Sequence, residues 1–357
     1  MQSMANIKVK NIYYMLSYAF QTLHEAGFEN IATEDFDNIY DLFAAILIQG
    51  VRAQVKRGLN RDYIEEQEAL VGLRGQVNLA QTIKQQTQLQ GKLVCSFDEF
   101  SPDSPHNQAL KSVLVFLLRQ KEVKLENRES ISRLLPYFSG VTKIEPPSIR
   151  WDALKYHRNN ASYRMLLGIC RLVVKGLLLT TETGSQKLDT WIQDEQMSRL
   201  YEKFVLSYYV RHHPELSPSA SFIDWDIASD TRSRYLPMMK SDVTLHKGQK
   251  KLIIDTKYYG HTMQYNALYD RQTFISGNLY QIYAYVKNSD KGSSGDKRPS
   301  GNVAGILLYA KTDEAVTPDE DIMIGGNRIG VKTLDLNQDW SVITAQLETL
   351  CEWLNQE

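Results

Sequence analysis

Cysteine is scarce in this chain. The 357 residues hold three, Cys95, Cys170 and Cys351, far apart, odd in number and without a CxxC pair. That argues against a disulfide scaffold or a zinc ribbon and fits a reducing, cytosolic setting. Long apolar runs are missing too: the greasiest stretch, LLGICRLVVKGLLL, is broken by Arg171 and Lys175 and is too short to span a bilayer. The opening MQSMANIKVKN has neither the apolar core nor the cleavage site of a secretion signal, so the expectation is a cytoplasmic protein with no membrane partner. A formal net charge of −1 gives no global basicity that would advertise a polyanion, so any such contact must come from a local patch or a partner subunit. No G-x-x-x-x-G-K-[ST] loop and no G-x-S-x-G element occur, which leaves a nucleotide hydrolase or a serine hydrolase without support. The adjacent His212 and His213 point about 100° apart on a helix, and His106 and His157 lack partners at metal-ligand spacing.

What is present is ordinary for a folded protein. Hydrophobic residues make up 43% and charged residues 23%, and the length suits two domains rather than one core. No period of 20 to 50 residues recurs. Helical spacing of Ile12, Met15, Leu16 and Ala19 predicts a helix over 11–27, and a second over 37–56 turns Ile39, Leu42, Phe43, Ala45, Ile46 and Val51 inward. Short strands are expected around Gly72 and Gly75 and over KLVCSFDEF (92–100), then a helix after the loop SPDSPHN. A strongly apolar helix follows over 161–179, and the polar, turn-rich TTETGSQKL (180–188) separates an α+β domain, 1–180, from a second, 181–357. The second half reads as a helix over 192–212, then the strands SFIDWDIA, KSDVTLH and KKLIIDTKYY, a helix over 272–287, a mobile NSDKGSSGDKRPSGN, the strand GILLYA, two short strands and a last helix over 339–355. That order describes a mixed central sheet flanked by helices.

The chemistry concentrates on two of these strands. If the turn between them is Gly248-Gln249, paired residue numbers sum to 497, and Asp242 falls opposite Asp255. A slip of one residue would turn the two carboxylates to opposite faces. Lys257 follows two residues after Asp255 on the same face, while Thr256 points away. Leu252-Ile253-Ile254, with little alternation, is a strand covered on both sides. Two carboxylates and an ammonium at the rim of a buried strand suit magnesium, which takes one or two carboxylates plus substrate phosphate. The ion would polarise a phosphoryl group and activate water, with Lys257 orienting that water and stabilising developing charge. The bland alternative for a lone D-x-K is a surface ion pair. Between Lys240 and His261, five lysines and two aspartates give a local +3, a candidate phosphate-binding patch that Arg271 and Arg298 could extend.

Asp242, in S-D-V-T-L, and I-I-D-T-K-Y-Y thirteen positions later resemble the PD-(D/E)xK nuclease motif, with Ser241 in place of its proline. The resemblance implies a restriction-endonuclease-like α/β fold in 181–357 and DNA cleavage with magnesium. Metal ligation then falls to Asp242, Asp255 and Thr256, and catalysis to Asp242, Asp255 and Lys257. Glu202, on the preceding helix, matches the accessory acidic residue of such nucleases; a solvated helix carboxylate is its plain alternative. Gln281 and Tyr285 form the Q-x-x-x-Y of several branches, one helical face apart, with packing as the alternative. Further, K-N-I-Y-Y-M-L-S-Y-A-F, F-D-E-F, H-N-Q-A-L-K and M-S-R-L-Y-E-K-F occur in the order found in McrC proteins, so the whole chain is similar to that family.

That similarity implies the nuclease subunit of a modification-dependent restriction complex. Its N-terminal domain, 1–180, would engage and stimulate a GTP-dependent McrB-like AAA+ ring, and its target would be double-stranded DNA carrying modified cytosine. Tyr13, Tyr14 and Tyr18 are better read as core packing, and Arg52, Lys56 and Arg57 as a solvated helix end, than as contacts to the ring. A stand-alone repair or defence nuclease and a non-catalytic activator of an AAA+ ring are the rivals, the last opposed by the intact Asp242, Asp255 and Lys257.

Overall fold

The computed structural model describes residues 7–20, 23, 28, 31, 36, 38–157, 160, 162–182, 195–227, 234–266, 270–290, 301–312, 314 and 316–355. Two compact units form, one of residues 26–184 and one that joins 1–25 to 185–357. The opening helix, α1 (Val9–Ala19), therefore belongs with the C-terminal residues, which corrects the expected grouping of 1–180.

In the 26–184 unit, α2 (Ile39–Arg57) begins where Asn38 accepts a hydrogen bond from the Asp41 amide at 3.0 Å and stops at Gly58, whose φ is +88°. Leu42, Phe43, Ile46, Leu47 and Val51 face its core. A Cβ at Gly50 would lie 2.2 Å from the Leu166 side chain, so a larger residue there would force that leucine to move. Strands β1 (Asp62–Leu70), β2 (Gln76–Val77) and β3 (Leu93–Ser101) pair in the antiparallel order β1-β3-β2, with α3 (Leu79–Lys84) between the last two in sequence. Ser104 caps α4 (Pro105–Leu118), and α5 (Leu125–Leu134) and α6 (Tyr163–Glu182) complete the unit's longer helices. The sequence reading missed α5, which buries only Ile131 and Leu134 and so carries almost no apolar period. Among the described residues, no helix is long and apolar enough to cross a membrane.

The second unit is a five-stranded mixed sheet. After α7 (Glu195–His212) come β4 (Phe222–Ile223) and β5 (Met239–Lys240), a small antiparallel pair, then β6 (Val243–Lys247) and β7 (Lys250–Lys257). The antiparallel pair β8 (Met263–Asn266) and β9 (Arg271–Phe274) precedes α8 (Ser276–Ser289), and β10 (Val303–Ala310), β11 (Glu320–Ile324), β12 (Asn327–Leu334) and α9 (Trp340–Cys351) follow. Strand order is β11-β12-β10-β7-β6: β7, β10 and β12 run parallel in the centre, with an antiparallel strand at each edge. The expected mixed sheet flanked by helices is therefore present. The helix predicted from 272 starts instead at Ser276, because Arg271–Phe274 is a four-residue strand, RQTF, without alternation of its own, held by pairing with Met263–Asn266.

Helix α8 lies against one face, where Ile282, Tyr285 and Val286 meet Ile253, Leu307, Ile329 and Val331. Gly305 permits this approach, since a Cβ there would sit 2.6 Å from Val286 and 2.8 Å from Ile282. Every residue of β7 from Leu252 to Lys257 is buried, as its unbroken apolar run foretold. Helix α1 is held by Asn11, which donates to the Leu336 and Gln338 carbonyls at 2.8 Å each, and by Tyr14, stacked on Trp340 at 4.6 Å. Tyr13 is buried, and the Tyr18 ring meets Phe204 and Trp340 while its hydroxyl pairs with His212 at 2.7 Å. These tyrosines are packing residues, as their spacing implied.

Candidate active site

The turn of the β6–β7 hairpin is Gly248-Gln249, and positive φ is confined to Gly248 at +60°, the first central position, where a type II′ turn places glycine. Lys247 pairs with Lys250 and Val243 with Ile254, so the register summing to 497 is the one adopted. The ladder ends at Val243 and Asp242 lies one residue beyond it. There it replaces the backbone pairing with its side chain: Oδ2 accepts from the Thr256 amide and from the Thr256 hydroxyl, each at 2.7 Å. Ser241, buried where the motif has proline, exchanges hydrogen bonds with Ser221 and contacts Thr244 Oγ1 at 2.7 Å, fixing the backbone from which Asp242 projects.

Asp255 is only 2% exposed. Its Oδ2 lies 2.5 Å from Lys257 Nζ, a buried ion pair. Lys257 also donates to Gln281 Oε1 at 2.9 Å, and Gln281 Nε2 donates to the Tyr285 hydroxyl at 2.9 Å. The Q-x-x-x-Y pair thus forms a buttress that holds the ammonium against Asp255, and the i, i+4 spacing supplies the shared face. Burial pushes Asp255 up to about 6 against the pull of Lys257, with Asp242 and Glu202 adding to the push. Burial lowers Lys257, but the charge and hydrogen bond of Asp255, with Tyr259 and Asp242, together outweigh it and hold the ammonium above its ordinary value.

Glu202, half-buried on α7, enters through its charge. Burial and Asp242 raise its carboxyl, while Lys240, Arg199 and Lys257 pull it down. Among the described residues no three His, Cys, Asp or Glu side chains are close enough to hold a metal together. The pocket is therefore a two-carboxylate one, with one Asp255 oxygen buried and met by the Lys257 ammonium alone. Both features fit a hard divalent cation that takes few protein ligands. Asp242 and Asp255 could hold it. The Thr256 amide and hydroxyl are committed to Asp242 and aim that carboxylate.

The lysine patch does not assemble as expected. Lys247, Lys250 and Lys251 sit at the turn end of the hairpin, roughly 20 Å from Lys257 at the rise of a strand. Lys240 and Lys257 remain near the carboxylates, Arg271 stands on β9, and Arg298 lies outside the described residues. Sequence reasoning missed Ser241 and Thr256 as supports of Asp242; a short hydroxyl next to a motif acid was the signal available for both.

Comparisons with known proteins agree in direction. A family model described as McrBC 5-methylcytosine restriction system component matches residues 3–309. The chain is 29% identical over 344 residues to the type IV methyl-directed restriction enzyme EcoKMcrBC of Escherichia coli (strain K12), covering 96% of each. It is similar in fold to a chain of a refined half-complex from the tetradecameric assembly of Thermococcus gammatolerans McrB AAA+ hexamers with bound McrC. That likeness has a TM-score of 0.50 and 16% identity, and covers 97% of this chain and 76% of the other.

Proposed function

The chain belongs to the family of McrBC 5-methylcytosine restriction system components, and from that premise we propose that it is the DNA-cleaving subunit of a modification-dependent restriction complex. The observation that carries this reading is the grouping of Asp242, Asp255 and Lys257 at the rim of a covered strand, close enough to act on one another's charge, with Asp255 buried against the Lys257 ammonium. The sheet, the D-x-K strand and the helix that follows it support a PD-(D/E)xK nuclease fold.

Asp242 and Asp255 hold magnesium in this reading, and the chemistry supplied on binding is Lewis-acid polarisation of the scissile phosphate. Thr256 keeps Asp242 aimed at it. Lys257 places its ammonium where charge builds on the phosphoryl oxygens and orients the attacking water. Gln281, itself held by Tyr285, fixes the lysine, and Glu202 adds negative charge behind Asp242. No nucleotide-binding loop occurs in the sequence, which accords with a GTP-hydrolysing AAA+ ring as the partner that moves and reads double-stranded DNA carrying modified cytosine. The chain's near-neutral charge accords with most DNA affinity residing in that partner.

The test is plasmid cleavage by the chain, with and without an McrB-like AAA+ ring protein, GTP and magnesium, on cytosine-methylated and unmethylated DNA. Cleavage of methylated plasmid alone, requiring both ring and GTP and abolished by Asp255→Ala with GTPase stimulation retained, is the expected result. Cutting that needs no ring would favour a free-standing nuclease. Wild-type cleavage by Asp255→Ala would overturn the site.

A further inference from the structure

Tyr309 of β10 is the register partner of Lys257 on β7, so the two stand side by side on the face covered by α8. Its hydroxyl accepts a hydrogen bond from Asn278 Nδ2 at 2.8 Å. Asn278 is three residues before Gln281 on α8, one turn away on the same helical face. That helix therefore holds two neighbouring groups at once: Gln281 binds the Lys257 ammonium and Asn278 binds the Tyr309 oxygen. With its oxygen occupied as an acceptor, the phenol still has a proton to donate, and no described residue receives it. A buried donor of this kind costs about 1–3 kcal/mol when left unmet, so its place beside the reacting groups calls for an acceptor. Tyr309 is 1% exposed, the same depth as Asp255 at 2% and Lys257 at 8%. A phosphate that reaches Asp255 and Lys257 arrives next to the phenol.

We propose that Tyr309 is a further substrate-contacting residue of this site, its hydroxyl held by Asn278 and donating to an oxygen of the phosphate bound at Asp242, Asp255 and Lys257. The proposal rests on the nuclease reading above. A neutral donor next to the lysine complements it: the ammonium meets charge, and the phenol supplies a directed hydrogen bond without adding to the local charge balance. Burial keeps the phenol protonated, raised above its ordinary value against the Asn278 bond and Lys257, with Tyr259 and Asp255 adding to the rise. On α8, Tyr285 likewise accepts, from Gln281, but it stands behind that glutamine rather than beside Lys257 on the sheet.

The experiment compares Tyr309→Phe, Lys257→Met and a protein carrying 3-fluorotyrosine at 309, each in the complete complex with its ring partner, GTP, magnesium and methylated duplex. Thermal midpoints are recorded in parallel. Tyr309→Phe is expected to lower kcat by about a hundred-fold, with KM and the thermal midpoint little changed. The fluorinated phenol ionises at lower pH and should add an alkaline limb to the pH–rate profile, because the ionised oxygen cannot donate. If Tyr309→Phe cleaves as the parent does, or if its loss follows a fall in thermal midpoint and the fluorinated protein shows no new limb, Tyr309 is a core residue and the proposal falls. If Lys257→Met also cleaves normally, the site itself has been misread, a failure distinct from that of Tyr309.

Discussion

Replacing Lys257 by methionine keeps the length of the side chain and removes its charge, which isolates what the ammonium does for Asp255. In the native protein burial raises the Asp255 carboxyl to about 6, and Lys257 is the largest influence holding it down. The sign follows from linkage. A folded-state pKa above the unfolded value, about 3.9, contributes stability that is present at low pH and is lost as pH rises through the folded value. In the parent that loss is complete near neutrality, and stability above pH 7 is flat with respect to this group. In Lys257→Met the pull of the lysine is gone, the Asp255 pKa climbs further, and the loss continues above pH 7 at up to about 1.4 kcal/mol per pH unit. Urea denaturation of the metal-free chain at pH 6, 7 and 8, followed by tryptophan fluorescence, reads this directly, since Trp225, Trp340 and Trp353 lie in the unit that carries the site. The double variant Lys257→Met/Asp255→Asn should be flat over the same range. Parallel pH profiles for the parent and Lys257→Met would refute the view that these two groups share one buried electrostatic site.

Thr256→Val removes the hydroxyl that aims Asp242 while keeping the amide bond to it; magnesium affinity and cleavage should each fall about ten-fold, as for other supports of a metal ligand, with a titration of magnesium-dependent cleavage as the measurement. Magnesium competes with a proton at Asp255, so the rise in thermal midpoint on adding magnesium should be larger at pH 8 than at pH 5.5, where that carboxyl is substantially protonated; an equal rise at both values would place the ion elsewhere. Gly305→Ala forces a methyl group against Val286 and Ile282 of α8 and should cost about 1–3 kcal/mol, seen as a lower urea midpoint.

The second unit was largely legible because its signals are local. The run Leu252-Ile253-Ile254 can only be satisfied between two covered faces, and a glycine in the turn fixed the register that the structure adopts. Short or mostly polar elements escaped. Helix α5 buries two apolar side chains in ten residues, and β8 and β9 are four-residue strands whose pairing depends on each other. The separation of α1 from the residues that follow it was invisible for another reason: its apolar face is equally suited to any neighbour, and what selects α7 and α9 is a set of side chains, Asn11 onto the Leu336 carbonyl and Tyr14 onto Trp340, more than 300 residues away in sequence.

At the site, alternation predicted which residues share a face but not which end of a hairpin they occupy. Lys247, Lys250 and Lys251 are close to Asp255 in number, yet an antiparallel pair puts them at the turn and the carboxylates at the open end. The cations that reach the acids are those at the open end, Lys257 on β7 itself and Lys240 just ahead of β6. Three acidic groups, Asp242, Asp255 and Glu202, thus stand near Lys257, Lys240 and Arg199, and of the acids Asp255 alone is buried, against an ammonium it shares with Gln281. Burial keeps that carboxyl raised despite the lysine. A divalent ion between Asp242 and Asp255 would offset that cost, which is the physical reason to expect one there.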